Sequence, residues 1–258
     1  MADRRAFYER AHADARWHLG GRGHERSRFA KVWYRALLDH VLPRLPVQGR
    51  HVLDVGAGSG YLVSHLEGRV GRYVGIDLAL AAVRQFPAVG RPGAHGLVAD
   101  GTALPFVSHS FDLALCLEVI EHVAEPARLV AECFRVVRPG GHVVFSTPNY
   151  SNLFWVPALL ADLGLPAARR YMNRPPLRRT TTAASLRRLV AGRGRIVLER
   201  GVRLHPPLFE RLDGPRVRAT LGRLNDWLWR AEDRWGHRRP LRWMGLHTIV
   251  VAERPAAH

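Results

Sequence analysis

The 258-residue chain is almost without lysine. Of its 39 basic residues all but Lys31 are arginine, an evenness that a coding preference explains and that carries no functional meaning by itself. Cysteine is scarce too. Cys116 and Cys133 sit in apolar surroundings without metal-type spacing, which excludes a disulfide scaffold or zinc ribbon and reads as two reduced core thiols. No apolar run reaches the ~18 residues that cross a bilayer. The first residues, MADRRAFYERAHADAR, are charged throughout, so no secretory signal is expected and a cytoplasmic protein is. Internal repeats are missing as well. What is present, 47% hydrophobic and 24% charged residues, is enough for a buried core and excludes general disorder. The length fits one large domain, or one domain with insertions.

Acidic residues are outnumbered, 22 to 39, for a net charge of +17. The excess is uneven: residues 1–50 carry +6, residues 51–150 carry −2 and residues 151–258 carry +13. A coding preference would colour the whole chain alike. Basic flanks around a neutral middle point to an acidic small molecule, an anionic membrane surface or RNA, without choosing among them.

Residues 5–42 read as helical, interrupted at Gly20-Gly21-Arg22-Gly23 and ended by Pro43 and Pro46. The middle then alternates. Strand patterns at 51–55, 72–78, 96–100, 111–119 and 142–148 enclose helical patterns at 61–67, 78–86 and 126–137, with Pro139-Gly140-Gly141 as a break before the fifth strand. Such alternation predicts an α/β architecture, a doubly wound, mostly parallel sheet with helices on both faces. A capped helix within 180–194, a strand at 195–202 and a last strand at 246–254 follow. The expected division is an N-terminal helical cap (1–48), a core (49–150) and a remainder (151–258) with basic insertions at 151–180 and 203–244.

The strongest motif is Asp54-Val55-Gly56-Ala57-Gly58-Ser59-Gly60, set between a strand and a helix. Glycines there allow positive φ and close approach of backbone to a ligand. A dinucleotide fingerprint would want a third glycine where Tyr61 stands, so the spacing favours a cofactor without a pyrophosphate. Asp77 closes the second strand, where an acid can accept both hydroxyls of a ribose. Asp100, followed by Gly101-Thr102, closes the third, where an acid can accept from an adenine amino group. Three strand-terminal acids beside a glycine loop line the edge at which open α/β sheets bind ligands.

VLDVGAGSGYL, GIDL, VADGTALPF, SFDLALCLEVIEHV and RVVRPGGHVVFSTPN stand in the order and spacing of class I S-adenosylmethionine-dependent methyltransferases, and residues 50–150 resemble that family. Residues 111–148 look most like its ubiquinone-biosynthesis O-methyltransferases. The resemblance implies a Rossmann-like seven-stranded sheet with an antiparallel last strand. It implies S-adenosyl-L-methionine as cofactor and S-adenosyl-L-homocysteine as product. Gly56, Ala57, Gly58 and Gly60 would pass under the methionine part, and Asp54 would orient that loop and the amino group. Asp77 would bind the ribose and Leu78 would pack on adenine. Asp100 would meet the adenine amino group, with Gly101 and Thr102 nearby. Leu117 and Glu118 would lie nearest the transferred methyl.

A hydroxyl acceptor must lose its proton, which a His or a carboxylate can take. Glu118 and His122 are the catalytic candidates. If 118–122 is helical, Glu118, Glu121 and His122 share a face and form a plausible Mg²⁺ site, with His205 as a further ligand. Tyr8, Trp17, His18, Tyr150, Trp155 and Tyr171 are candidates for the acceptor pocket. Residues 153–165, followed by Arg169, Arg170, Arg174, Arg178 and Arg179, are a candidate lid or contact with an anionic membrane. The expected function is methylation of a small-molecule hydroxyl. The alternatives are an RNA methyltransferase, whose interleaved Trp and Arg would stack on bases and meet phosphates, and a non-catalytic cofactor- or nucleic-acid-binding module.

Overall fold

The computed structural model describes residues 2–13, 34, 36–66, 68–86, 93–149, 181–202, 227 and 230–256. Its centre is a seven-stranded sheet built from β1 (His51–Val55), β2 (Arg72–Asp77), β3 (Ala94–Val98), β4 (Phe111–Leu117), β5 (Val137–Pro148), β6 (Arg195–Val202) and β7 (His247–Glu253), in the order β3-β2-β1-β4-β5-β7-β6. The first five strands pair in parallel. β7 runs antiparallel to both its neighbours.

Burial on both faces explains why VLDV and LALCL read as continuous apolar runs rather than as alternating ones. Successive side chains divide between two cores. Leu53, Val55, Ile76, Ala114, Cys116, Val143 and Phe145 face one side, under Leu129, Val130, Cys133 and Phe134 of the helix α4 (Pro126–Val136) and Leu186 and Val190 of α5 (Ala183–Ala191). Val52, Tyr73, Leu113, Leu115, Val144 and Val251 face the other. There they meet Ala36, Leu37 and Val41 of a π-helical segment (Ala36–Val41), with Leu42, and Leu62, Val63 and Leu66 around the short helix α2 (Val63–Leu66). Both cysteines are buried free thiols.

Several boundaries differ from the sequence reading for local reasons. The expected break at Pro139-Gly140-Gly141 is a bulge inside β5. Its register with β4 shifts between Phe111 and Leu113, Gly140 has φ +74°, and a Cβ on Gly141 would stand 2.6 Å from the Asp112 carbonyl oxygen. β4 stops at Leu117 because Glu118 turns left-handed, with φ +57°. β3 starts and ends two residues early, which leaves Asp100 in the turn beyond it. The helix expected over 78–86 is one turn, α3 (Leu80–Val83). Within 5–42 the described residues are helical as expected, in α1 (Ala2–Ala13), the π-helical segment and the start of a 3₁₀ turn at Leu42–Arg44, and the expected interruption at 20–23 lies outside the described residues. The capped helix appears as expected: Thr182 Oγ1 accepts from Ser185 N at 3.0 Å while Thr182 N donates to Ser185 Oγ at 2.8 Å, a reciprocal cap worth about 1 kcal/mol. Residues 151–180 and 203–226 lie outside the described residues. Among the described residues no helix is long and apolar enough to cross a membrane.

α1 is tied to the sheet's ligand edge. The Glu9 carboxylate accepts from Leu80 N at 2.7 Å and Ala81 N at 2.9 Å, the otherwise unpartnered donors of α3's first turn. These hydrogen bonds hold the Glu9 carboxyl below its ordinary range.

Candidate active site at the carboxyl edge of the sheet

The strand order reverses between β1 and β4, and open α/β sheets bind ligands in the crevice outside the carboxyl ends at such a switch point. The glycine loop rises from β1 on one side of that crevice. Gly56, Gly58 and Gly60 have φ of +76°, +55° and +81°, a region that residues with a Cβ enter only at a cost. A Cβ on Gly56 would also lie 2.3 Å from Val119 Cγ2, just beyond β4. Gly56 N and Ala57 N donate to the Ile76 carbonyl at 2.8 and 2.9 Å, folding the loop back over β2.

Asp77 fixes this geometry. One carboxylate oxygen accepts from Gly58 N at 3.0 Å and the other from Ala79 N at 2.9 Å, so the second strand's acid and the glycine loop form one unit. Leu78 follows, half-buried. Asp100 Oδ1 accepts from both the backbone N and the Oγ1 of Thr102, each at 2.8 Å. Between them Gly101 is obligatory for packing, since a Cβ would stand 2.8 Å from both Leu129 and Val55.

Asp54 behaves differently from the expectation. It is buried, and the partner of its carboxylate is Tyr73 Oη, which donates to Oδ2 at 2.5 Å, rather than the loop backbone. Burial pushes its carboxyl up to about 7, against the Tyr73 hydrogen bond and with help from Asp77. The folded state therefore keeps a proton that the unfolded chain loses near pH ~4, so stability falls as pH rises from about 4 to about 7 and levels off above that. Asp54→Asn should abolish this slope and exceed the wild type in urea midpoint above about pH 7; a wild-type advantage that grows with pH would contradict the reading.

On the other side of the crevice Glu118 is held in its left-handed conformation by Ser146. Glu118 N donates to both the carbonyl and the Oγ of Ser146, each at 3.1 Å, and Ser146 Oγ donates to Glu118 Oε1 at 2.9 Å. The remaining oxygen, Oε2, lies 3.0 Å from His247 Nδ1. Ile120–His122 then forms a 3₁₀ turn. Glu121 is buried and accepts from Thr147 Oγ1 at 3.2 Å, with His122 Nε2 at 3.6 Å. The Tyr8 ring meets His122 edge-on, with centroids 5.9 Å apart. Tyr34 stacks on Tyr61 at 4.1 Å. Burial, then the neighbouring Asp54, Tyr61 and Glu118, push its hydroxyl well above the ordinary range.

Residues 118–122 are no α-helix: Glu118 precedes a 3₁₀ turn, and Glu118 and Glu121 accept from Ser146 and Thr147, neighbouring residues of β5. Among the described residues no group of three or more His, Cys, Asp and Glu is placed to hold a metal ion. His205 lies outside the described residues, as do Trp17, His18, Tyr150, Trp155, Tyr171 and the arginines at 169–179. Sequence reasoning missed Tyr34, Ser146 and His247. The antiparallel last strand was the available signal for His247, because it returns that strand's first residue to the ligand edge.

Residues 53–145 match the family described as "Methyltransferase domain". The likeness to that family is confined to residues 53–145. The chain's curated relatives include the ubiquinone biosynthesis O-methyltransferase of Paracidovorax citrulli, 42% identical over 109 residues, which are 40% of this chain and 46% of that protein. The chain spans about half the length of the curated relatives it matches. Among solved structures, the putative methyltransferase in complex with the Haloferax volcanii Trm112 activator superposes with a TM-score of 0.60 at 20% identity, over 90% of this chain and 95% of that one. Geranyl diphosphate C-methyltransferase from Streptomyces coelicolor A3(2), in complex with Mg²⁺, geranyl diphosphate and S-adenosyl-L-homocysteine, gives 0.59 at 16% identity, over 85% and 78%.

Proposed function

We propose that the protein is an S-adenosyl-L-methionine-dependent O-methyltransferase whose acceptor is the hydroxyl of a small aromatic, polyketide-like or lipid-like compound. The observation that carries the reading is the glycine loop at the switch point, locked to Asp77 and closed against Val119. The residues present suit the cofactor: a backbone cradle without side chains for the methionine part, and carboxylates, which accept hydrogen bonds, for ribose hydroxyls and an amino group. Gly56, Ala57, Gly58 and Gly60 would hold the methionine part. Asp77 and Leu78 would hold ribose and adenine, Asp100, Gly101 and Thr102 the adenine edge, and Leu117 and Glu118 the methyl end. When bound, the cofactor supplies an already activated methyl group, so the protein's tasks are to align the acceptor and remove one proton. His122 and His247 both lie at the same edge for the second task. Tyr8 of α1, which meets His122 edge-on, would line the acceptor side. The relatives named as O-methyltransferases favour oxygen as the nucleophile.

The test is transfer of a labelled methyl from S-adenosylmethionine to a panel of catechols and phenols. A labelled methyl ether with one S-adenosylhomocysteine released per transfer supports the reading. Cofactor binding without transfer to any hydroxyl would remove the acceptor class and leave the cofactor site standing.

A further inference from the structure

We infer that His247 is the general base that removes the acceptor's hydroxyl proton, with Glu118 as the positioning residue that holds its ring. The inference deepens the proposed O-methyl transfer and rests on it. Topology places the residue. β7 is antiparallel to β5, so His247, the first residue of β7, pairs with Pro148, the last of β5. A residue that sequence order puts at a strand's beginning therefore stands at the sheet's carboxyl edge. Ser146 pairs with Leu117 in the adjacent register, which brings Glu118 beside the same spot.

The geometry is that of a base with its orienting acid. Glu118 Oε2 is 3.0 Å from His247 Nδ1. A carboxylate there fixes the proton on Nδ1 and leaves the lone pair on Nε2. Nε2 has no hydrogen-bond partner among the described residues, and the side chain is 21% exposed. Glu118 is itself immobilised, with Oε1 taken by Ser146 Oγ and its strained backbone held twice by the same serine. Such strain persists only where the surroundings over-determine it. At His122, Nε2 faces the neighbouring Glu121 at 3.6 Å and the ring meets Tyr8 edge-on.

In the step, the acceptor O–H bond breaks and its proton passes to His247 Nε2. The oxygen's electron pair forms the new O–CH₃ bond while the S–CH₃ bond breaks and its pair stays on sulfur. The imidazolium then returns its proton to solvent. Charge balances, with the sulfonium's positive charge ending on the released proton.

The experiment compares methyl transfer to catechol and to 4-nitrocatechol, whose acidic hydroxyl is ionised at neutral pH and needs no base. His247→Gln should lower kcat on catechol about 10²-fold or more, within the range of a lost general base. On 4-nitrocatechol the loss should be under about tenfold, and the Kd for S-adenosylhomocysteine should stay within about twofold. Glu118→Gln should show the same acceptor-dependent pattern more weakly. Imidazole nitrogen NMR of the S-adenosylhomocysteine-bound protein should find His247 in the Nδ1–H tautomer. Equal losses on both acceptors, the Nε2–H tautomer, or an acceptor-dependent loss in His122→Gln instead would overturn the assignment. Wild-type protein that binds S-adenosylhomocysteine but methylates neither probe overturns the aromatic-hydroxyl reading beneath it.

Discussion

Asp77→Ala is expected to weaken binding of S-adenosylmethionine and S-adenosylhomocysteine about a hundredfold. Its carboxylate accepts two backbone N–H groups, from Gly58 and Ala79, and hydrogen bonds to an ionised acceptor contribute roughly 1.5–3 kcal/mol each. Their loss frees the glycine loop from β2 at the moment the ribose loses its acceptor. A combined cost near 3 kcal/mol corresponds to about two decades in Kd. Asp77→Asn keeps one carbonyl oxygen and should lose less. Isothermal titration checks both; an Asp77→Ala affinity within about twofold of wild type would mean that the loop does not depend on this acid.

Gly56→Ala is the second large effect. The added Cβ would overlap Val119 Cγ2 at 2.3 Å, at a residue with φ +76°. Overpacking costs about 1–3 kcal/mol, and the left-handed backbone adds roughly 1–2 kcal/mol for a residue with a Cβ. The variant should lose about 3 kcal/mol in urea denaturation and most of its cofactor affinity. Val119→Ala in the same chain should restore the steric share alone, a coupling of about 1–2 kcal/mol. Strictly additive losses would show that the loop and the segment after β4 are not in contact.

The central sheet was legible because its physics is local. Buried parallel strands make apolar runs, and the chain must turn at glycines between them. The positions of Asp77 and Asp100 were legible because one closes β2 and the other follows β3 by two residues. What was hidden depends on contacts distant in sequence. Asp54 reads like its neighbours but faces inward to Tyr73. Glu118, Glu121 and His122 have helical spacing, yet Glu118 leaves helical geometry under the hold of Ser146, 28 residues away. His247 lies 129 residues from its carboxylate partner.

Part of the arginine excess also has a structural use that composition cannot reveal. Arg254 donates to the carbonyls of Phe134, Arg135 and Val137 at the end of α4, and Arg135 to those of Leu104 and Phe106. Arg200 is buried and donates to the Glu232 and Asp233 carbonyls. Arg239 and Arg242 lie over the Trp243 ring, at 5.4 and 4.9 Å. These guanidinium groups serve as multi-donor clamps and stacking partners, so the +17 is not all available to an anionic partner.

The most direct test of the account is calorimetric titration of the wild-type chain with S-adenosylhomocysteine. Saturable binding of one molecule per chain, weakened by Asp77→Ala, is the result expected of a glycine loop locked to Asp77 at the switch point. No binding, or binding indifferent to Asp77→Ala, would contradict it.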